Sequence, residues 1–117
     1  MGLLGKGSSD AARQQLKGHL ELLLMSVLQA GPAHGYEIIA SLRDRSEGAF
    51  DLPEGTVYPA LHRLEQAGCL ASDWTSHGGR RRRTYRLTDA GLAALSSERA
   101  SWLRFSKAVG SVLASGA

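Results

Sequence analysis

The chain has 117 residues, 43% of them hydrophobic and 21% charged, with a formal net charge of +3. This length predicts one domain, or one domain with an appended helix, and the composition excludes a disordered chain. The single cysteine, Cys69, excludes an intrachain disulfide and a cysteine-based zinc site, and its apolar neighbours favour ordinary packing over redox sensing.

Targeting and catalytic signals are weak throughout the sequence. The apolar run from Leu20 to Leu28 contains Glu21 and is too short to span a bilayer, and the N-terminus lacks the apolar core of a signal peptide. The histidines are scattered, and neither a Gly-rich phosphate loop nor a Gly-x-Ser-x-Gly motif is present. We therefore expect a cytoplasmic protein without membrane contact that is not an enzyme and uses no metal or cofactor.

Positive charge is concentrated in one short segment. Residues 1–50 carry five basic and five acidic side chains, whereas residues 74–88 carry five arginines and no acid. Such a segment is typical of a surface that binds a polyanion, and its simpler interpretation is a solvated hairpin tip. We favour nucleic acid as the partner.

Two helices are predicted in the first half of the chain. After a flexible Gly/Ser-rich segment at residues 1–10, Asp10 can cap a helix from about Ala11 to Ala30. Its apolar stripe is wide enough for a central helix whose N-terminal half meets a second subunit, and it comprises Leu16, Leu20, Leu22, Leu23, Leu24, Met25, Val27 and Leu28.

The second predicted helix opens at His34 after the breaker Gly31-Pro32 and runs to about Arg45. Its inward side chains are expected to be Tyr36, Ile39 and Leu42, with Ile38 as a further candidate.

Residues 51–70 predict a third helix that begins near Glu54, has Pro53 at its first position and ends at Gly68. Pro59 is expected to distort it slightly, because proline cannot donate to the preceding turn. Its inward stripe is Val57, Leu61 and Leu64, and its outward face comprises Gly55, Thr56, Tyr58, Pro59, His62, Arg63 and Gln66. Three short helices, the third of which carries a polar outer face, match a helix-turn-helix arrangement.

The pattern then changes to that of a β-hairpin. We predict strands at Leu70–Thr75 and Arg80–Leu87, joined by a turn at residues 76–79. Arg81 and Arg83 share one face of the second strand, and Arg80 and Arg82 share the other. A hairpin that rests on the helices and carries arginines at its tip has the form of a wing, so the predicted fold class is mainly α, a winged helix-turn-helix with a C-terminal helix.

A last helix is predicted after Thr88, which is a good N-cap. Its apolar residues follow a 3–4 spacing and need a partner surface, for which the first helix of a second copy, including Leu20, is the simplest choice. The alternative is a helix folded back on its own domain. The predicted dimerisation residues are Leu20, Leu95, Trp102, Phe105, Val109 and Val112.

Two motifs in this chain resemble the PadR family of transcriptional regulators: Gly-Thr-Val-Tyr-Pro-Ala-Leu-His-Arg-Leu-Glu at residues 55–65 and Tyr-Arg-Leu-Thr at residues 85–88. His34-Gly35-Tyr36-Glu37-Ile38, Trp74 and Gly91 add to the resemblance. The resemblance implies a dimer that binds a palindromic operator on double-stranded DNA, usually as a repressor. It also implies that a small aromatic effector often releases this dimer from the operator. It also implies that Thr56, Tyr58 and Pro59 face DNA and that Tyr36 lies near its backbone. Glu54 departs from the family pattern, which often has a serine in this region.

The side chains with most reach towards base edges are those of Arg63 and His62, with Gln66 as a weaker third. A phosphate contact for Arg63 is an equally good interpretation. The wing arginines, Arg80, Arg81, Arg82 and Arg83, can follow phosphates or enter a minor groove. Trp102 is the candidate effector-binding residue, although a tryptophan at helical spacing is more often part of a core or interface.

These interpretations divide the chain into a flexible segment at 1–10, a DNA-binding domain at 11–87 and a dimerisation helix at 88–117. They predict a dimeric, sequence-specific DNA-binding regulator. The alternative is a winged-helix module for protein–protein interaction whose basic wing binds an acidic partner.

Overall fold

The structure is a computed structural model, and it describes Leu16 and residues 18–115. Within this part, the helices are α1 (Leu20–Gln29), α2 (Gly35–Arg45), α3 (Glu54–Gln66) and α4 (Asp89–Ser115). The strands β1 (Ala33–His34), β2 (Leu70–His77) and β3 (Arg80–Leu87) form an antiparallel sheet in the order β1-β3-β2. The predicted fold class is confirmed. The predicted flexible segment at 1–10 lies outside the described residues, as does most of the predicted first helix before Gly18.

The prediction of one continuous first helix up to Ala30 is wrong. The helix α1 starts only at Leu20, after a turn at Gly18 and His19. Gly18 has φ +91°, a left-handed conformation that glycine adopts without steric cost and that ends a right-handed helix. Leu16, before this turn, is nonetheless buried in the core.

The core lies where α1, α2 and α3 meet the sheet. The side chains of Leu24, Ile38, Val57 and Leu61 are fully buried, and β3 contributes Tyr85. The inward stripe predicted for α3 is confirmed. The inward orientation predicted for Tyr36 is wrong, because this side chain is 63% exposed. The buried residues of α2 are Gly35, Ile38 and Leu42.

The hairpin is longer and better supported than predicted. The strands β2 and β3 pair from Leu70↔Leu87 to His77↔Arg80, which leaves Gly78 and Gly79 as a two-residue turn with φ +59° and +78°. Positive φ at both positions is typical of a two-residue hairpin turn whose twist matches that of the flanking strands. The short strand β1, which the sequence did not predict, pairs with β3 through Ala33↔Tyr85 and His34↔Thr84. The wing is therefore attached to the start of α2 by backbone pairing.

Helix α4 begins with the predicted cap, since the Gly91 N–H donates to Thr88 Oγ1 at 3.0 Å. Its first half packs on α1, where Arg99 Nη2 donates to Gln29 Oε1 at 2.8 Å. Leu95 is 1% exposed and belongs to the core of its own domain, so its assignment to a dimer seam needs correction. Beyond Trp102 the helix projects from the domain. Within residues 18–115, no helix is long and apolar enough to cross a membrane.

Candidate nucleic-acid interface

Helix α3 presents the polar face that its sequence predicts. Pro59, His62, Arg63 and Gln66 are exposed and Thr56 is half-buried, while the opposite stripe is buried. Pro53 lies just before the helix in an extended conformation rather than at its first position, and no side chain caps the helix. Glu54 in the first turn complements the positive end of the helix dipole instead.

A groove of about 790 Å³ separates α3 and the start of α2 from the wing. It brings together seven of the predicted DNA-binding residues, namely Tyr36, Tyr58, His62, Arg80, Arg81, Arg82 and Arg83. It also contains His34 and Trp74, to which sequence reasoning assigned no role in binding. Two observations could have pointed to them. His34 lies two residues before Tyr36 in the sequence, and Trp74 pairs with Arg83 across the hairpin.

Tyr36 and Tyr58, two of the three tyrosines that line the groove, are placed by close contacts. The Tyr58 ring lies over Gly35 so closely that a Cβ at position 35 would be 2.1 Å from Tyr58 Oη. Partial burial and, secondarily, the charge of Glu54 raise the pKa of the Tyr58 hydroxyl. Hydrogen bonding to Glu54 and the charge of its carboxylate raise the pKa of the Tyr36 hydroxyl, and Arg80 opposes this rise. Both hydroxyls therefore stay protonated at neutral pH and can donate to phosphate oxygens.

Arg63 points away from the groove. Its Nε lies 3.2 Å from Glu21 Oε1 on α1, and both side chains are about half exposed. Ion pairs at such exposed sites contribute little to stability, so the contact leaves Arg63 able to exchange partners. Thr56, Pro59 and Gln66 likewise lie on α3 outside the groove.

The wing arginines contact several parts of the molecule. The guanidinium carbons of Arg81 and Arg83 lie 4.9 Å and 5.4 Å from the centre of the Trp74 ring. Arg82 Nη1 lies 2.8 Å from His34 Nε2, and Arg83 Nη2 lies 3.6 Å from Glu65 Oε2. This is consistent with the alternation predicted for the strand, because Arg81 and Arg83 lie over Trp74 whereas Arg82 contacts His34.

The projecting half of α4 carries an exposed apolar face. Phe105 is 59% exposed and Val109 is 40% exposed, and both line a shallow apolar cavity of about 300 Å³ with Ala108, Val112 and Leu113. A second open cavity, of about 550 Å³, lies beside Trp102. The Trp102 ring is 4.9 Å from that of His19 and 6.0 Å from that of Phe105. Leu20, by contrast, packs against the core of its own domain.

Metal ligands do not cluster in the part of the chain that the structure describes, where no group of three or more His, Cys, Asp or Glu side chains could hold an ion. The polar side chains of the groove are instead phenols, imidazoles and guanidiniums. These groups suit phosphate oxygens and base edges.

Three helices, a hairpin wing and a basic groove between them define a winged helix-turn-helix protein. Residues 24–97 match the model of the Transcriptional regulator PadR-like family. The chain belongs to this family.

Solved structures and a curated relative agree with this assignment. A PadR family transcriptional regulator from Eggerthella lenta is 36% identical and superposes with a TM-score of 0.78 over 90% of each chain. A transcriptional regulator from Clostridium thermocellum is 27% identical, with a TM-score of 0.77 over 83% of this chain and 95% of that one. The transcriptional regulator Rv3488 of Mycobacterium tuberculosis is 46% identical over 57 residues, which are 49% of this chain and 53% of that protein. The match thus spans about half the length of that relative.

Proposed function

We propose that the protein is a homodimeric, sequence-specific DNA-binding regulator that represses transcription from a palindromic operator. The observation that supports this most directly is the groove in which His62 of α3, the phenols of Tyr36 and Tyr58 and the four wing arginines converge. In this proposal residues 11–87 bind DNA, residues 88–117 hold two copies together, and the protein acts in the cytoplasm.

Specific recognition comes from α3 in the major groove. His62, Arg63 and Gln66 are exposed there and have the reach to contact base edges, with Arg63 exchanging Glu21 for DNA. Thr56, Tyr58 and Tyr36 hold the helix in register through phosphates, and Pro59 lets the helix approach the groove wall closely. The two α3 helices of a dimer read half-sites about one helical turn apart.

The test is binding to the DNA upstream of the protein's own gene, measured by electrophoretic retardation with salt titration. We expect a specific complex with an inverted repeat, whose affinity falls steeply as salt rises. A duplex of the same composition with the repeat scrambled is the matched control. If neither duplex is retarded at low salt, the wing binds an acidic protein surface instead, which is the second candidate function.

An aromatic effector is the further element of the proposal. The cavity beside Trp102 falls within the usual range of about 300–1,000 Å³ for small-molecule sites, and Trp102 and Phe105 give it flat walls. A planar aromatic bound there by two copies of α4 would alter how the protomers sit on DNA and release the repressor.

This element is tested by fluorescence titration with a panel of planar aromatic compounds. The Trp74→Phe variant is the host, because Trp102 is then the only tryptophan left. We expect a saturable change in emission for the true ligand class, together with loss of the operator complex. A panel that leaves the emission of Trp102 unchanged contradicts effector binding at this residue.

A further inference from the structure

The four consecutive arginines of the wing have different surroundings. Arg80 and Arg81, next to the turn, are exposed, whereas Arg82 and Arg83 are half-buried. An arginine that is held by several protein contacts gains less from a phosphate, because it must give up those contacts to reach DNA. The contacts of each side chain therefore indicate which arginines are available.

Arg83 contacts groups on two elements, α3 and β2. Its Nη2 lies 3.6 Å from Glu65 Oε2 at the end of α3, and Ser72 Oγ donates to the same carboxylate oxygen. The guanidinium also lies over the Trp74 ring, and its charge opposes the rise that burial causes in the pKa of Tyr85. Arg83 thus joins β3 to the C-terminal turn of α3.

Arg82 makes the corresponding contact on the other side of the strand. Its Nη1 lies 2.8 Å from Nε2 of His34. His34 directly precedes α2, and its backbone N–H donates to Glu37 Oε1 at 3.0 Å. Arg82 thus joins β3 to the N-terminus of α2.

Arg80 and Arg81 have no such anchors. Within residues 18–115 neither forms an ion pair. Arg81 lies over the Trp74 ring at 4.9 Å, a contact that directs the guanidinium without neutralising it. Trp74 itself is 57% exposed.

We propose that the wing arginines are divided between two tasks: Arg80 and Arg81 bind DNA phosphates, whereas Arg82 and Arg83 anchor the wing to α2 and α3. Trp74 is the positioning residue for Arg81. This inference rests on the proposed DNA-binding function, and it narrows the expectation that Arg80 to Arg83 can follow phosphates or enter a minor groove.

The test compares two matched double variants, Arg80→Gln/Arg81→Gln and Arg82→Gln/Arg83→Gln, which remove the same charge from adjacent positions. Binding to a short fluorescein-labelled duplex of random sequence is measured by anisotropy between about 50 and 200 mM salt. In a dimer each double variant removes four arginines. The first is expected to make the slope of log K against log salt less negative by about 3 to 4, and the second by less than about 1.

Thermal unfolding without DNA is the second readout. The Arg82→Gln/Arg83→Gln variant is expected to lower Tm by on the order of 5 °C, because the wing loses its anchors, while the other variant keeps the Tm of the wild type. Equal changes in slope, or equal changes in Tm, for the two variants would overturn the division. A wild-type protein that binds no duplex at the lowest salt would contradict DNA binding itself, and the Tm comparison would still decide whether Arg82 and Arg83 are anchors.

The role of Trp74 is tested by a double-mutant cycle. Trp74→Leu is expected to weaken duplex binding about two- to five-fold in the wild type and to have no effect in an Arg81→Gln background, because the aromatic face acts through Arg81. An equal loss in both backgrounds would show that Trp74 does not position Arg81.

Discussion

Replacing Gly91 with alanine is expected to reduce the free energy of unfolding by about 3 kcal/mol, with a fall in Tm on the order of 10 °C. A Cβ at this position would lie 2.1 Å from the backbone oxygen of Cys69 and 2.9 Å from Leu87 Cδ2. The Cys69 oxygen cannot rotate away, because it accepts the Thr88 N–H at 3.1 Å. The first turn of α4 would have to move off the connection between α3 and β2.

The neighbouring hydrogen bonds increase this cost. Thr88 Oγ1 donates to the Gly68 oxygen at 2.6 Å and accepts the Gly91 N–H at 3.0 Å, so a shift of the helix start disrupts both bonds. Gly110→Ala is the matched control, since it adds the same methyl group to the same helix where nothing lies within 4 Å. This control is expected to stabilise the helix by about 0.5–1 kcal/mol. Differential scanning calorimetry measures both, and equal Tm values for Gly91→Ala and wild type would contradict the close approach.

Replacing Phe105 with glutamate is expected to raise the dissociation constant of the proposed dimer by at least about 100-fold. Phe105 is 59% exposed and lies beside Val109, which is also apolar and exposed. A second copy of α4 is the partner surface that would best bury both side chains. A carboxylate there would be buried against apolar side chains without a partner. Because Phe105 is outside the core of its own domain, helicity measured by circular dichroism is expected to stay unchanged.

Sedimentation velocity over a range of protein concentrations measures this effect. Ala114→Glu is the control, because it adds the same charge to an exposed position about 180° around the helix from Phe105. It is expected to leave the dimer intact. A Phe105→Glu protein that remains dimeric at micromolar concentration would mean that the copies associate through another surface.

The elements of the fold with strong periodic or turn signals could be predicted from the sequence. The inward stripe of α3, the hairpin around Gly78 and Gly79, and the cap at Thr88 all follow from local rules. The two-residue strand β1 could not be predicted, because it has no period of its own and is defined only by its pairing with β3.

The errors have equally local causes. Tyr36 shares a three-residue spacing with Ile39, which predicts an inward position, whereas the buried pair of α2 is Ile38 and Leu42, four residues apart. The sequence does not predict the break at Gly18, because a single glycine in a helical pattern is usually tolerated. Leu95 fits the seam of α4, yet only the packing on α1 decides where the core ends.

The candidate site was predicted as a set of residues but not as an arrangement. Residue type and spacing place the arginines on the wing, but they do not show that Arg82 contacts His34 or that Arg83 contacts Glu65. Those contacts join segments that are distant in the chain, so no local pattern encodes them.

The pairing of β1 with β3 bears on how such a regulator can be switched. Because this pairing and the Arg82–His34 contact fasten the wing to the start of α2, we expect the wing and the helices to move together as one unit. Its internal fit to a half-site is then fixed. In the proposed dimer, a signal that weakens operator binding would act through the distance and angle between two such units, because α4 is proposed to hold the copies together.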